Sequence, residues 1–331
     1  MKKILISGVG SLLGQGLIKT INLSKKNFIV YGTDYLKDAI GLYWVKKGYI
    51  LPDILKNKKK EKLWLNKIIK IIEENKIDYV IPGLDFELPL FSKFKEKIEM
   101  KCSCKVIVSD LKIINVFRDK WKTVEFLKKN NFFYPSSVLP SKLNTFLKKN
   151  KFPLIVKPRI GSTSKNVFLT KNKKELIKAI KNCKNPIIQE YLYKKNNEYT
   201  CGVIYNDKTN KIVSRITLNR KLKNGNTVSA SLKKNIKFNL INNFISKVTQ
   251  KIKPTGPINF QLCLVNNKPY IFEVNPRFSG STPLRAIFGL NEIELLFNSI
   301  EGGGNKEKNL KYGNIMRYFT DFYFKKEIRF E

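Results

Sequence analysis

The chain has 331 residues, 64 of them Lys or Arg against 26 Asp or Glu, with no His, for a formal net charge of +38. The missing histidine excludes histidine triads, histidine general bases, histidine metal ligands and phosphohistidine intermediates, leaving Lys, Arg, carboxylates, amides and a bound metal to carry any chemistry. A hydrophobic content of 42% and an aromatic content of 12% belong to a globular chain of two or three lobes, and no apolar run reaches the ~20 residues of a bilayer span.

The basic surplus is spread along the chain, in tracts such as 56–62 and 171–174, and accompanies abundant Asn and Ile. That pattern reads as a composition bias. It gives adventitious affinity for polyanions at low salt, but no reader motif accompanies it, so no specific nucleic-acid function is expected. The five cysteines, at 102, 104, 183, 201 and 263, show neither metal nor disulfide spacing, which suits a reducing cytoplasm.

In chain order, Lys3 to Ser7 reads as a buried strand, followed by the turn Gly8-Val9-Gly10-Ser11-Leu12-Leu13-Gly14, a helix from about Gln15 to Leu23, and a strand Phe28 to Thr33 ending at Asp34. This βαβ start with a glycine-rich turn raises a dinucleotide site, although such turns also serve to pack a helix on a strand. A helix from Glu61 to Glu74 leads to the strand Tyr79-Val80-Ile81 and the loop Pro82-Gly83-Leu84-Asp85-Phe86-Glu87-Leu88. Ligands of open parallel sheets lie beyond such strand ends, so Asp85 and Glu87 are candidates to face a substrate, with helix capping the plainer role for Asp85. Val106 to Val108 closes this first lobe.

Phe117-Arg118-Asp119-Lys120-Trp121 opens a helix to about Lys129, and an extended stretch starts at Pro135. In Phe152-Pro153-Leu154-Ile155-Val156-Lys157-Pro158-Arg159 a short apolar strand fixes Lys157. The small-residue loop Gly161-Ser162-Thr163-Ser164 then offers N–H groups and hydroxyls to anionic phosphates. Ile187-Ile188-Gln189-Glu190-Tyr191-Leu192 is an apolar strand turning polar, and Glu198 opens the next one. Among the basic residues at 215, 220, 221 and 223, Arg220 is preferred for its bidentate fork.

Pro257 to Val265 and Pro269 to Val274 form two strands around the turn Asn266-Asn267-Lys268. With a three-residue loop Gln261 faces Glu273 and Asn259 faces Asn275. One strand face then offers hard oxygen donors suited to Mg²⁺, and Arg277 supplies a fixed cation for a phosphoryl oxygen just beyond the strand end.

Taken together, the Pro-Gly-x-Asp-x-Glu-Leu loop, Asp119-Lys120, Lys157 with its loop, Glu198 and the closing Glu273-x-Asn275-x-Arg277 resemble the ATP-grasp enzymes, in the branch of carbamoyl-phosphate synthase and biotin carboxylase. The resemblance covers most of the chain. It implies an α/β protein with a Rossmann-like lobe over residues 1–115, there to hold the acceptor substrate. A two-lobed α+β ATP-grasp domain would follow over 116–331, with a lid at about 132–189 that closes on ATP. It further implies that Lys120 and Lys157 reach the nucleotide phosphates, with Gly161 and Ser162 in the phosphate loop. Glu190, Tyr191 and Leu192 would read the adenine edge, and Glu198 would grip the ribose. Gln261, Glu273 and Asn275 would hold Mg²⁺ (or Mn²⁺), with Arg277, Arg220 and Lys157 as the catalytic cations.

The implied activity is ATP-dependent joining of a small-molecule carboxylate to an amine through an acyl phosphate, in a monomer or homodimer. A kinase-like phosphorylation and a basic scaffold or nucleic-acid-binding protein with a degenerate nucleotide site are the alternatives. One departure stands out: Gly280 occupies the position after Ser279 where the synthases tend to carry a second basic residue, which argues for a different acceptor.

Overall fold

Residues 1–161, 166–303, 309–318 and 320–324 are described by the structure, a computed structural model. The N-terminal lobe follows from unbroken apolar runs, the mark of strands buried on both faces. It comprises β1 (Lys2–Ser7), α1 (Leu12–Asn22), β2 (Phe28–Asp34), β3 (Lys47–Ile50), α2 (Glu61–Asn75), β4 (Tyr79–Ile81), α3 (Leu88–Cys102) and β5 (Lys105–Val106). These strands form a parallel sheet in the order β3-β2-β1-β4-β5. Strand β3 was not legible in the sequence.

The glycine turn after β1 brings backbone against backbone. A Cβ at Gly14 would lie 2.2 Å from the Gly8 carbonyl oxygen, and the Ser11 hydroxyl caps α1 by accepting from the Gly14 N–H. The helix therefore begins at Leu12, a turn earlier than the sequence suggested. Asp34 is buried, with its two oxygens accepting from the Gly10 and Leu36 amides at 2.8 and 3.0 Å. The acid that would hold a ribose in a dinucleotide site instead ties down the turn.

Two helices, α4 (Leu111–Phe117) and α5 (Lys120–Lys129), lead out of this lobe. Asp119 divides them, its carboxylate capping α5 at the Trp121 and Lys122 amides. The next unit contains β6 (Ser137–Val138), α6 (Leu143–Lys149), β7 (Leu154–Pro158), β8 (Phe168–Thr170), α7 (Lys173–Asn182) and β9 (Pro186–Glu190). Its antiparallel sheet, ordered β6-β9-β7-β8, has an apolar core of its own that includes Val138, Phe146, Leu154, Val156, Leu176 and Ile188. The expected phosphate-loop residues Ser162, Thr163 and Ser164 lie outside the described residues.

The largest sheet collects β10 (Glu198–Asn206), β11 (Lys211–Lys223), β12 (Asn226–Leu232), β13 (Gly256–Val265), β14 (Lys268–Asn275) and β15 (Gly313–Met316), ordered β14-β13-β10-β11-β12-β15. Helix α8 (Ile236–Ile252) covers one face, where Val203 meets Ile241 and Ile245. Strand alternation sends Ile204 to the other face, against α10 (Glu292–Ile300). There the apolar cluster continues into the N-terminal lobe, joining Ile204, Phe278, Ile293 and Phe297 to Ile4, Ile6, Leu17 and Ile107.

Beneath β10 sits a fully buried ion pair between Arg285 of α9 (Thr282–Ile287) and Glu292. Arg285 also donates to the Asn259 and Thr200 oxygens at 2.6 and 3.2 Å, and Thr282 donates to Glu292 at 2.8 Å. The pair occupies the space left by the missing side chain of Gly202, where a Cβ would fall 2.1 Å from Arg285 Nη1.

Candidate functional site

The β13–β14 hairpin has the expected pairing by an unexpected route. Its turn is only Asn266-Asn267, both left-handed at φ +48° and +58°, with Val265 opposite Lys268. Carried inward unchanged, that register would set Phe272 opposite Gln261. A bulge at Phe272 absorbs one residue, so Gln261 faces Glu273 and Asn259 faces Asn275. The Gln261 and Asn275 side-chain amides donate to Glu273 Oε1 at 3.3 and 2.9 Å, which gathers one carboxylate and two amides on a single face.

The bulged Phe272 places its ring 5.5 Å from the Lys157 ammonium. Lys157 is buried and donates to Gln189 Oε1 at 2.9 Å, while Gln189 donates onward to Ser137 Oγ at 2.8 Å. Burial pushes the Lys157 ammonium down to about 8, with the Lys120 charge adding to the effect and Glu273 opposing it. Among the described residues no carboxylate within ion-pair distance neutralises it, which suits it to receive an anion. Lys120 approaches from the start of α5, its ammonium donating to the Gly161 carbonyl at 2.9 Å. The Asp119 carboxylate takes a two-pronged bond from Arg159 at 3.1 and 2.5 Å, which fixes Lys120 beside the end of β7.

Glu190 ends β9, where its carboxylate accepts from the Ser136 amide at 2.7 Å and its own amide donates to the Ser136 carbonyl at 2.9 Å. That carboxylate clamps β9 to the chain before β6, and Glu190, expected from sequence near an adenine amine, also lines the smaller cavity described below. Glu198 and Arg220 are both buried, with Glu198 Oε1 accepting from Arg220 Nε and Nη2 at 2.9 and 2.5 Å. Arg220 Nη2 also donates to Gln261 Oε1 at 2.7 Å. One guanidinium thus links the expected ribose carboxylate to the expected metal hairpin.

Arg277 holds Asp85 through Nε and Nη2, at 2.5 and 3.0 Å, across 192 residues of chain. Burial alone would raise the Asp85 carboxyl, but Arg277, supported by Arg118 and Lys120, draws it below the usual carboxylate range. Asp85 therefore caps no helix. It orients Arg277 at the junction of the lobes. Glu87, its companion in the loop, is buried and accepts from the Ser7 hydroxyl at 2.5 Å, and burial pushes it up to about 7. It lies under the loop and does not line the cavity.

These groups converge on two joined cavities. The smaller, about 320 Å³, is lined by Lys120, Lys157, Gly161, Glu190, Tyr191, Leu192, Glu198, Arg220, Gln261 and Glu273. The larger, about 580 Å³, opens toward the N-terminal lobe and adds Asp85, Asn275 and Arg277. Lys120, Gly161, Arg220, Gln261 and Glu273 border both. Every nucleotide, metal and catalytic residue expected from the sequence that lies among the described residues is in one wall or the other, and of the two substrate-facing candidates Asp85 is and Glu87 is not. Sequence reasoning missed Gln189, Phe272, Arg118 and Arg317. For the two arginines a signal existed, since only eight of the 64 basic residues are arginine.

Among the described residues no group of three or more Cys, Asp or Glu is arranged to hold a metal. One carboxylate with neighbouring amides still suits Mg²⁺, which takes few protein ligands and completes its shell with phosphate oxygens and water.

A family model described as an ATP-grasp domain matches residues 117–281. No curated protein matches the sequence. Among solved structures, N5-carboxyaminoimidazole synthetase from Staphylococcus aureus, complexed with ADP, aligns at a TM-score of 0.73 and 18% identity, over 95% of this chain and 80% of that one. The biotin carboxylase domain of Hydrogenobacter thermophilus 2-oxoglutarate carboxylase, in complex with MgADP, ADP and bicarbonate, aligns at 0.71 and 15% identity, over 95% and 73%. L-amino acid ligase from Bacillus licheniformis aligns at 0.68 and 18% identity, over 91% and 74%. At these identities the likeness is one of fold.

Proposed function

The chain belongs to the ATP-grasp proteins through its domain at residues 117–281, and from that premise we propose that it joins a small-molecule carboxylate to an amine at the expense of ATP. The observation that carries the reading is that Lys120 and Glu273 border both cavities, with Lys157 in the wall of the smaller and Arg277 in the wall of the larger. The nucleotide occupies the smaller cavity, with its base against the hinge at Tyr191 and Leu192 and its ribose at Glu198. Its phosphates extend toward Lys120 and Lys157. The acceptor acid occupies the larger cavity.

Phosphoryl transfer depends on positioning and charge neutralisation more than on protein nucleophiles, which suits a chain without histidine. A carboxylate oxygen of the acceptor attacks the γ-phosphorus, the bond to the β-phosphate oxygen breaks, and ADP departs. The amine nitrogen then attacks the acyl carbon, the C–N bond forms, phosphate leaves and the amine gives up a proton. Lys157 and Lys120 offset the charge on the nucleotide phosphates. Arg277, held by Asp85, steadies the transferred phosphoryl group and the acyl phosphate. Glu273, with Gln261 and Asn275, is the set that would hold Mg²⁺, whose charge is supplied to the phosphate oxygens.

The test is a product assay. A carboxylate, an amine and MgATP yield ADP and inorganic phosphate in equal amounts, and hydroxylamine traps the acyl phosphate when the amine is withheld. Release of AMP and pyrophosphate would show adenylation and sink the mechanism.

A further inference from the structure

Seven arginines lie among the described residues. Four are paired with carboxylates: Arg159 with Asp119, Arg220 with Glu198, Arg277 with Asp85 and Arg285 with Glu292. Arg215 is exposed on β11. The remaining two, Arg118 and Arg317, both line the larger cavity.

Neither has an ion-pair partner among the described residues. The Arg118 guanidinium has no hydrogen-bond acceptor there and sits near Asp85, whose two oxygens already serve Arg277. Arg317 follows β15, donates one Nη to the Gly280 carbonyl, and keeps its other Nη buried without an acceptor. Burial holds both guanidiniums below the usual arginine range. Among the described residues the cavity's own carboxylates are Asp85 and Glu273, the first engaged with Arg277 and the second accepting from Gln261 and Asn275. Two half-buried guanidiniums without ion-pair partners of their own carry a desolvation cost, and a bound anion relieves that cost through charge-assisted bonds.

One acceptor carboxylate, turned toward the transferring phosphate, does not satisfy both. We propose that the acceptor acid carries a second anionic group, a carboxylate or a phosphate, bound by Arg118 and Arg317. Leu12, Leu84, Tyr35 and Phe86 in the same wall face the carbon skeleton between the two anionic ends. The inference rests on the ligase reading and narrows its substrate class.

The experiment measures ADP release with MgATP across three sets of acids: dicarboxylates, their ω-amides, and carboxylates bearing a phosphate. The expected result is a doubly anionic acid favoured in kcat/KM by ~100-fold over its singly charged counterpart. Arg118→Gln and Arg317→Gln should collapse that preference to below ~10-fold, chiefly by raising KM. The contrast between dicarboxylates and phosphorylated acids identifies the second group. The melting shift on adding MgADP verifies that each variant is folded. Equal use of singly and doubly anionic acids, or preference retained in both variants, overturns the inference while leaving the ligase reading intact. Binding of MgADP with no ADP release for any acid overturns the ligase reading, and this inference with it.

Discussion

Lys157→Met should make the nucleotide-free protein more stable while removing its grip on ATP. The buried ammonium titrates at about 8 against 10.5 for free lysine. At ~1.4 kcal/mol per pH unit, holding the charge inside costs about 3 kcal/mol below pH 8. Methionine fills the stem's volume without the charge, but leaves Gln189 Oε1 without its donor, a loss of about 1–2 kcal/mol. The net gain near pH 7 is therefore about 1–2 kcal/mol. The sign of the pH dependence follows from proton counting. Between about 8 and 10.5 the unfolded chain binds a proton that the folded chain does not, so the parent gains stability as pH rises and the variant does not. By about pH 9.5 the variant's advantage shrinks by about 2 kcal/mol. Urea unfolding of both proteins at the two pH values measures the difference, and isothermal titration should show MgADP affinity falling ~10–100-fold in the variant. A variant less stable near pH 7, or a gap that does not change with pH, would refute the assignment of Lys157 as a charge held in readiness for phosphate.

In the parent protein, MgADP affinity should decline as pH rises past about 8, because the free protein then loses the Lys157 proton; calorimetry in buffers of different ionisation enthalpy should detect proton uptake on binding there. Glu273→Ala should lower turnover by at least ~100-fold with unchanged circular dichroism, and Gln261→Ala should be milder because a neutral donor contributes less; parent-like activity in Glu273→Ala would dismiss the metal assignment. Asp85→Asn should cut kcat/KM for the acceptor by ~10–100-fold through a misplaced Arg277, with MgADP affinity preserved, as steady-state kinetics and calorimetry would show. Gly202→Ala should destabilise the protein by ~3 kcal/mol or more, read from urea unfolding, since the added methyl displaces a fully buried ion pair.

What the sequence made legible were contacts local in the chain or fixed by strand pairing. The opposition of Gln261 to Glu273 follows from alternation and a turn. Even so, the inferred three-residue loop reached the correct register only because a two-residue turn is followed by a bulge. A bulge leaves no compositional mark, since Phe272 reads as an ordinary strand residue. The burial of Lys157 was also hidden. Its strand was evident, but its neighbours Gln189 and Phe272 come from other elements. The Asp85–Arg277 bond spans too many residues for any pattern in sequence to predict. Asp34 shows the opposite failure: its spacing fits a dinucleotide site, and only the tertiary structure shows both oxygens occupied by backbone amides. Glu198 and Arg220 were each singled out, but separately, because nothing in a linear reading joins them into a pair.

The apolar cluster that runs from Leu17 and Ile107 into Ile204, Phe278 and Phe297 bears on how such a protein changes its substrate. A lobe joined to its neighbour by a polar seam can be exchanged as a cassette, carrying its specificity with it. Here the N-terminal lobe and the largest sheet share one interior, so a transplanted lobe would need matching side chains beneath it as well as around the cavity. New acceptors are therefore reached most readily by single substitutions in the cavity wall, at positions such as Arg118, Gly280 and Arg317, where the shared interior is left alone. Divergence in this lineage should accordingly be dense around the cavity mouth and sparse along the seam.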